Sequence, residues 1–289
     1  MGLNVMTRRP GATSPIALVT GTSSGIGLAT AVELAERGYH VVATMRDVSR
    51  SHTLMSAAAG RGVHLEVRPL DVVDDDSVAT CVADVLGRHG GVDLVVNNAG
   101  VGCTGTLEEL STTDLLSTLN VNVIGVARVT RAVLPAMREA RAGRIIAMSS
   151  MAGAFGQPFN DAYCASKFAL EGLYEAAWPV AAAFGVHLTL VQAGPVTGTF
   201  VEHSAGIRQR RPDDPFADLW GRFGSIVERS YDRAQTPDEI ATFIADVAAD
   251  PDPRLRYQTS EAVERAVRIK SADPTGERVG SLTRSWLAG

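Results

Sequence analysis

The sequence predicts an α/β fold: a single-domain, doubly wound parallel sheet of about seven strands. Three observations carry this. Short runs of branched apolar residues alternate with longer stretches of helical apolar spacing along most of the chain. The short runs are apolar nearly throughout, as strands covered on both faces are. A glycine-rich turn joins the first strand to the first helix, and right-handed crossovers then wind helices onto both faces.

The elements follow in order. Residues 15–20 (PIALVT) form the first strand and residues 28–38 (LATAVELAERG) the first helix. The second strand is residues 39–45 (YHVVATM), followed by a helix over 49–60. The third strand is residues 63–71 (VHLEVRPLD), with a helix over 77–87. The fourth, residues 92–100 (VDLVVNNAG), ends in polar residues and leads to a long helix over 112–141. GRIIAMSS (143–150) is the fifth strand, 161–184 a helix, and VHLTLVQAG (186–194) the sixth strand. No composition break or repeat interrupts residues 15–260. One domain over 15–289 is therefore expected, after a disordered leader over 1–14.

Residues 200–236 break the alternation with Pro212, Pro215, Phe216, Trp220 and Phe223 among charges of both signs. An insertion after the sixth strand lies at the carboxyl edge of the sheet, where open α/β folds bind ligands. A substrate lid over about 200–235 is expected. The alternative is a surface helical hairpin with its own small core.

Bulk properties narrow the classes. Hydrophobic residues make up 45% of the 289, enough for a sizeable core. The net charge of −5 argues against a nucleic-acid partner, which calls for a basic face. No apolar run reaches the roughly 18–20 residues of a membrane span. The start of the chain carries two arginines but no apolar stretch ending in a small-residue cleavage site, so no signal peptide is read. Cys81, Cys103 and Cys164 are odd in number and far apart, which fits free thiols in a reducing cytoplasm. No His/Cys/Asp spacing suggests a metal site.

The chemistry clusters at two places. In TGTSSGIG (20–27), Gly21, Gly25 and Gly27 permit a tight turn and close approach of backbone to a pyrophosphate. The helix that begins there, with Ser23, Ser24 and Ile26 in the loop, points its free N–H groups at the phosphates. In NDAYCASKFALEG (160–172), Tyr163 and Lys167 stand one helical turn apart on one side of a helix. An ammonium beside a phenol lowers its pKa from about 10 toward a useful acid/base range. Ala165, Ser166, Ala169 and Gly172 read as clearance that lets a cofactor lie close.

The glycine spacing G-x-x-x-G-x-G, NNAG (97–100), NVNVIG (120–125), Ser150 and the Tyr163-x-x-x-Lys167 pair fall in one order. Together they resemble the short-chain dehydrogenase/reductase family over about residues 15–260. QPFNDAYCASKFALEGLYE, FGVHL and LRYQTSEAVERAV resemble its hydroxysteroid and retinol dehydrogenase branch. The resemblance implies a Rossmann-type fold and a nicotinamide cofactor. It implies hydride transfer between a lipophilic ketone and a secondary alcohol that is steroid-, retinoid- or polyketide-like. It assigns Tyr163 as acid/base, Lys167 as its tuner and ribose ligand, and Ser150, rather than its neighbour Ser149, as the group orienting the substrate oxygen. Asn122 becomes the proton-relay asparagine, with Asn120 the alternative. Asp71 and Val72 contact adenine, and Asn98, Ala99 and Gly100 floor its ribose.

After the sixth strand, Gly194, Pro195, Val196, Thr197 and Thr199 surround the nicotinamide carboxamide. Ala193 and Gly198 stand where the family carries proline and threonine, so Thr197 or Thr199 supplies the hydroxyl. The end of strand two decides the cofactor. Thr44 is neutral there, and Arg46 can pair with a 2′-phosphate, which favours NADP(H) over NAD(H). Asp47 could instead neutralise Arg46 or act as the ribose-binding carboxylate. The resemblance also implies a homodimer or homotetramer through the long helices. A catalytically idle, nucleotide-binding sensor or scaffold is the alternative function, and a sugar epimerase is disfavoured by the glycine spacing.

Overall fold

A computed structural model of the chain describes residues 14–198, 205–206 and 213–288. The leader expected over 1–14 lies outside this but for its last residue, and parts of the expected lid lie outside it too. Strands β1 (Ile16–Thr20), β2 (His40–Met45), β3 (Glu66–Pro69), β4 (Leu94–Asn97), β6 (Gly143–Ser150), β7 (Val186–Ala193) and β9 (Arg256–Gln258) form one seven-stranded sheet. Its order is β3-β2-β1-β4-β6-β7-β9, and the pairings are parallel. A two-stranded ribbon pairs β5 (Cys103–Thr104) with β8 (Ala205–Gly206). Chain order reverses on either side of β1, so a crevice opens beyond the carboxyl ends of β1 and β4.

The helices are α1 (Gly25–Glu36), α2 (His52–Gly60), α3 (Asp75–His89), α4 (Thr112–Leu119), α5 (Val126–Ala140), α6 (Asp161–Ala182), α7 (Ala217–Tyr231), α8 (Pro237–Ala249), α9 (Glu261–Ser271) and α10 (Glu277–Ser285). One core lies between the sheet and α3, α5 and α6, built on Leu18, Val85, Val129, Ile145 and Leu170. The other lies between the opposite face and α1, α2 and α8, built on Val19, Leu34, Leu54, Val96 and Ile244. Each such side chain, fully buried, contributes about 1.5–3 kcal/mol. The all-apolar strands thus follow from burial on two faces.

Helix ends follow local chemistry. Asp74 accepts from the N–H groups of Asp76 and Ser77 to start α3, and Gly90 ends it in the left-handed conformation. Capping boxes start α4 (Ser111 with Asp114) and α8 (Thr236 with Glu239).

The helix expected over 112–141 is not continuous. Residues Asn120–Gly125 form a π-helical turn between α4 and α5. At Gly125 a Cβ would stand 2.9 Å from the Val72 side chain, so only glycine lets this widened turn rest against the end of β3. The buried Arg144 fixes α8 to β6 through the carbonyls of Val247 and Asp250. No helix among the described residues is long and apolar enough to cross a membrane.

Candidate active site

The glycine loop is built by close packing. Gly21 and Gly25 have φ of 72° and 57°, which favour glycine. A Cβ on Gly21 would lie 2.8 Å from the Ala99 Cα, and one on Gly27 would lie 2.3 Å from the Gly21 carbonyl oxygen. Asn98 explains the crowding. Its Nδ2 donates to the carbonyls of Thr20 and Gly21, while the Thr20 hydroxyl accepts from the N–H groups of Asn98 and Ala99. Asn98 and Ala99 therefore lock the end of β4 to the loop, and Gly100 follows them against Asn122.

At Gly25 a Cβ would meet nothing within 4 Å. Ser24 starts α1 without a side-chain hydrogen bond, and the first turn holds no acid. A bare helix N-terminus facing open space fits a dinucleotide pyrophosphate.

Beside it, Ser23, Met45, Arg46, Asp47 and Arg50 line a cavity of about 290 Å³. Arg46 is exposed at its rim. Thr44, expected near the decision point, is fully buried instead, donating to the Val19 carbonyl. Asp47 accepts from the N–H and hydroxyl of Ser49 at 3.0 and 2.6 Å, which holds its carboxyl below the usual range.

Asp71 accepts from the Val73 N–H, and Val72 is buried against the π turn. After β7 the backbone of Pro195 and Thr197 is tied to Gln235, which holds Gly194, Val196 and Thr197 at the sheet's carboxyl edge. Thr199 lies outside the described residues.

Strand β6 and helix α6 bring Ser150, Tyr163 and Lys167 together. Ser150 closes β6, where its hydroxyl caps the following turn by accepting from the Ala152 N–H and hydrogen-bonds Tyr163. The Lys167 Nζ sits 5.6 Å from the centre of the Tyr163 ring and donates to the Met148 carbonyl at 2.7 Å. Burial pushes the Tyr163 phenol up to about 12, against the opposing Ser150 hydrogen bond. Burial also lowers the Lys167 ammonium to about 8, with Glu171 pulling it back. The net direction is thus opposite to the lowering expected from a neighbouring ammonium: desolvation outweighs the Ser150 hydrogen bond.

Both Asn122 N–H donors are taken, by the Val101 carbonyl and the Ser166 hydroxyl, and its Oδ1 accepts from the Val101 N–H. This side chain clamps β4's extension to α6. Asn120 accepts from Arg128 instead. Ala165, Ala169 and Gly172 are exposed on the outward side of α6, two residues out of phase with Tyr163 and Lys167, so they do not clear space for a cofactor. Only Ser166 of that set is buried.

The sequence reading missed Glu171. It lies one further turn along the Tyr163–Lys167 stripe, a spacing that could have revealed it. Its Oε1 accepts from the Ser149 hydroxyl at 2.5 Å and Gln192 at 3.0 Å, and its Oε2 from Arg256 at 2.7 Å. Tyr231, closing α7, lies near enough to disfavour the Tyr163 phenolate. Phe159 packs against Trp220 and Phe223, and Phe155 and Phe223 pack against Trp286.

A family model described as "short chain dehydrogenase" matches residues 15–209. The chain belongs to the short-chain dehydrogenase family. As such it is similar to 17-beta-hydroxysteroid dehydrogenase type 1 of Homo sapiens, 40% identical over 90% of this chain and 82% of that one. It is 38% identical to retinol dehydrogenase 8 of Bos taurus, over 90% and 86%. A short-chain dehydrogenase from Streptomyces avermitilis superposes with a TM-score of 0.79 at 29% identity, covering 95% of this chain and 98% of that one. This short-chain dehydrogenase is an oxidoreductase acting on CH–OH groups with a nicotinamide cofactor.

Proposed function

We propose that the protein interconverts a lipophilic ketone and secondary alcohol with NADP(H), using Tyr163 as acid and base. The observation that carries this is the Tyr163 side chain, hydrogen-bonded to Ser150 with the Lys167 ammonium 5.6 Å from its ring. A bound cofactor would supply or accept hydride at the substrate carbon. Ser150 orients the substrate oxygen, and Tyr163 donates its proton to that oxygen in reduction. With the phenol raised to about 12, the protonated form that reduction requires is the one present at neutral pH. Lys167 holds the nicotinamide ribose, and Asn122 positions α6. Asp71, Val72, Asn98, Ala99 and Gly100 flank the adenosine, and Gly194, Pro195, Val196 and Thr197 the carboxamide.

NADP(H) over NAD(H) rests on the end of β2. Asp47 caps the next turn through one oxygen, Oδ1, which accepts from Ser49 and ties the side chain to its own loop. Arg46 and Arg50 line the same cavity and suit a 2′-phosphate. The aromatic cluster of Phe155, Phe159, Trp220, Phe223 and Trp286 supports an apolar substrate wall, with α7 as part of a lid. The exposed Phe168 and Leu173 on α6 support self-association of the chain.

A panel of bulky ketones and alcohols, followed at the nicotinamide absorbance with each cofactor, tests the reading. NADPH should be preferred, and Arg46→Ala should weaken it by tenfold or more while sparing NADH. An unchanged preference would remove Arg46 from the site. Nucleotide binding without turnover of any substrate would favour an idle sensor.

A further inference from the structure

At the end of the sheet remote from the glycine loop, three elements converge on one carboxylate. His40 opens β2, Glu66 opens β3, and His89 closes α3. The register sets Val42 opposite Glu66, so His40 and Glu66 are diagonal neighbours on the face that α3 covers. The Nε2 atoms of His40 and His89 each lie 3.0 Å from the same Glu66 Oε2, with ring centres 4.6 Å apart. One donor atom from each residue falls within 4.8 Å of the others. The second oxygen, Glu66 Oε1, is buried and 2.5 Å from an Arg68 nitrogen, but accepts no hydrogen bond. Arg68 is also paired with Asp84, which in turn holds Arg88.

We propose that His40, Glu66 and His89 form a binding site for a divalent transition metal of the zinc class. Two imidazole nitrogens and one carboxylate oxygen are the donor set that such borderline ions favour, whereas calcium and magnesium call for more oxygen ligands. With bonds of about 2.0–2.2 Å in a tetrahedral site, ligand atoms stand roughly 3.3 Å apart. The 3.0 Å contacts are therefore a few tenths of an ångström from a metal-bridged spacing. His40 is exposed, so it can turn to open that space and leave a fourth position to water. Arg68 on the far side of Glu66 orients the carboxylate, as outer partners of metal ligands do. The ion would staple the end of α3 to the edge strand β3 and its neighbour β2. It takes no part in the chemistry at Tyr163.

The untagged full chain, stripped with chelator, is titrated with Zn²⁺ by calorimetry and with Co²⁺ by visible absorption. One saturable site per chain, tetrahedral Co²⁺ bands and a Zn²⁺-dependent rise in Tm are expected. His40→Ala and His89→Ala should each weaken Zn²⁺ by tenfold or more. His64→Ala and His187→Ala should leave it unchanged. No saturable binding, or equal affinity in the His40→Ala and His89→Ala chains, would overturn the site and leave a hydrogen-bonded cluster only. If His89→Ala fails to fold, the exposed His40→Ala decides.

Discussion

The two faces of α6 invert the usual order of a surface helix. The inward stripe carries Tyr163, Ser166, Lys167, Glu171 and Tyr174, polar and mostly buried. The outward stripe carries Ala165, Phe168, Ala169, Gly172 and Leu173, small or apolar and exposed. The inward face is tolerable because each buried polar group has a partner. Lys167 donates to Met148, Glu171 accepts from Ser149, Gln192 and Arg256, and the Tyr174 hydroxyl meets Asn97 and Thr130. The outward face shows no such pairing and is what a second helix surface would cover. The inward side of α6 is thus held by paired polar groups, and its outward side leaves apolar surface exposed.

Changing the inward stripe at its reacting end should have the largest effect. Tyr163→Phe should keep cofactor affinity and lose roughly 10²–10⁴-fold in kcat. Undiminished turnover would sink the acid/base assignment.

Next comes Glu171→Gln, which should destabilise the fold by about 2 kcal/mol, since Arg256 and Lys167 lose a buried countercharge. It should also lower the Lys167 pKa further, moving the alkaline limb of the rate profile to lower pH. An unmoved limb with a lowered Tm would make Glu171 purely structural.

The pH dependence of stability distinguishes the inward charges from each other. Lys167 titrates at about 8 in the fold against 10.5 when free, so between those values the unfolded chain binds more protons and stability rises with pH. Tyr163 and Tyr174, both raised to about 12, act oppositely above their free value of 10.0. Lys167→Met should therefore flatten the rise between pH 8 and about 10 in denaturant titrations. A rise retained in that variant would assign it elsewhere.

The smallest effect on the fold belongs to the outward face. Phe168→Asp should change monomer stability by no more than about 0.5 kcal/mol, yet shift sedimentation toward the monomer. A wild-type chain that already sediments as a monomer would leave that stripe without the inferred partner.

Much of this was legible in order along the chain. Residues Gly143–Ser150 form the strand expected, and the glycine turn stands between β1 and α1. The remaining strands run shorter than their apolar runs, since residues flanking β3 and β4 pack without ladder pairing. The long helix hid its π turn because helical spacing continues through it, and the turn's close contact, Gly125 on Val72, joins residues some fifty apart. The Tyr163–Lys167 stripe was visible from spacing alone. Its neighbour Glu171 shared that spacing and was overlooked.

The sequence by itself determined the fold class, the glycine loop and the one-turn spacing of Tyr163 and Lys167, because these depend on periodicity and on residues close in the chain. Only the tertiary structure decided the rest. It set the phenol above its free pKa through burial, engaged Asn122 with Val101 and Ser166, and turned Asp47 onto Ser49 beside Arg46. It also joined His40, Glu66 and His89 from three separate elements. The reason is physical. Desolvation and convergence are properties of the space around a side chain, and parallel strands fill that space with residues far apart in the chain.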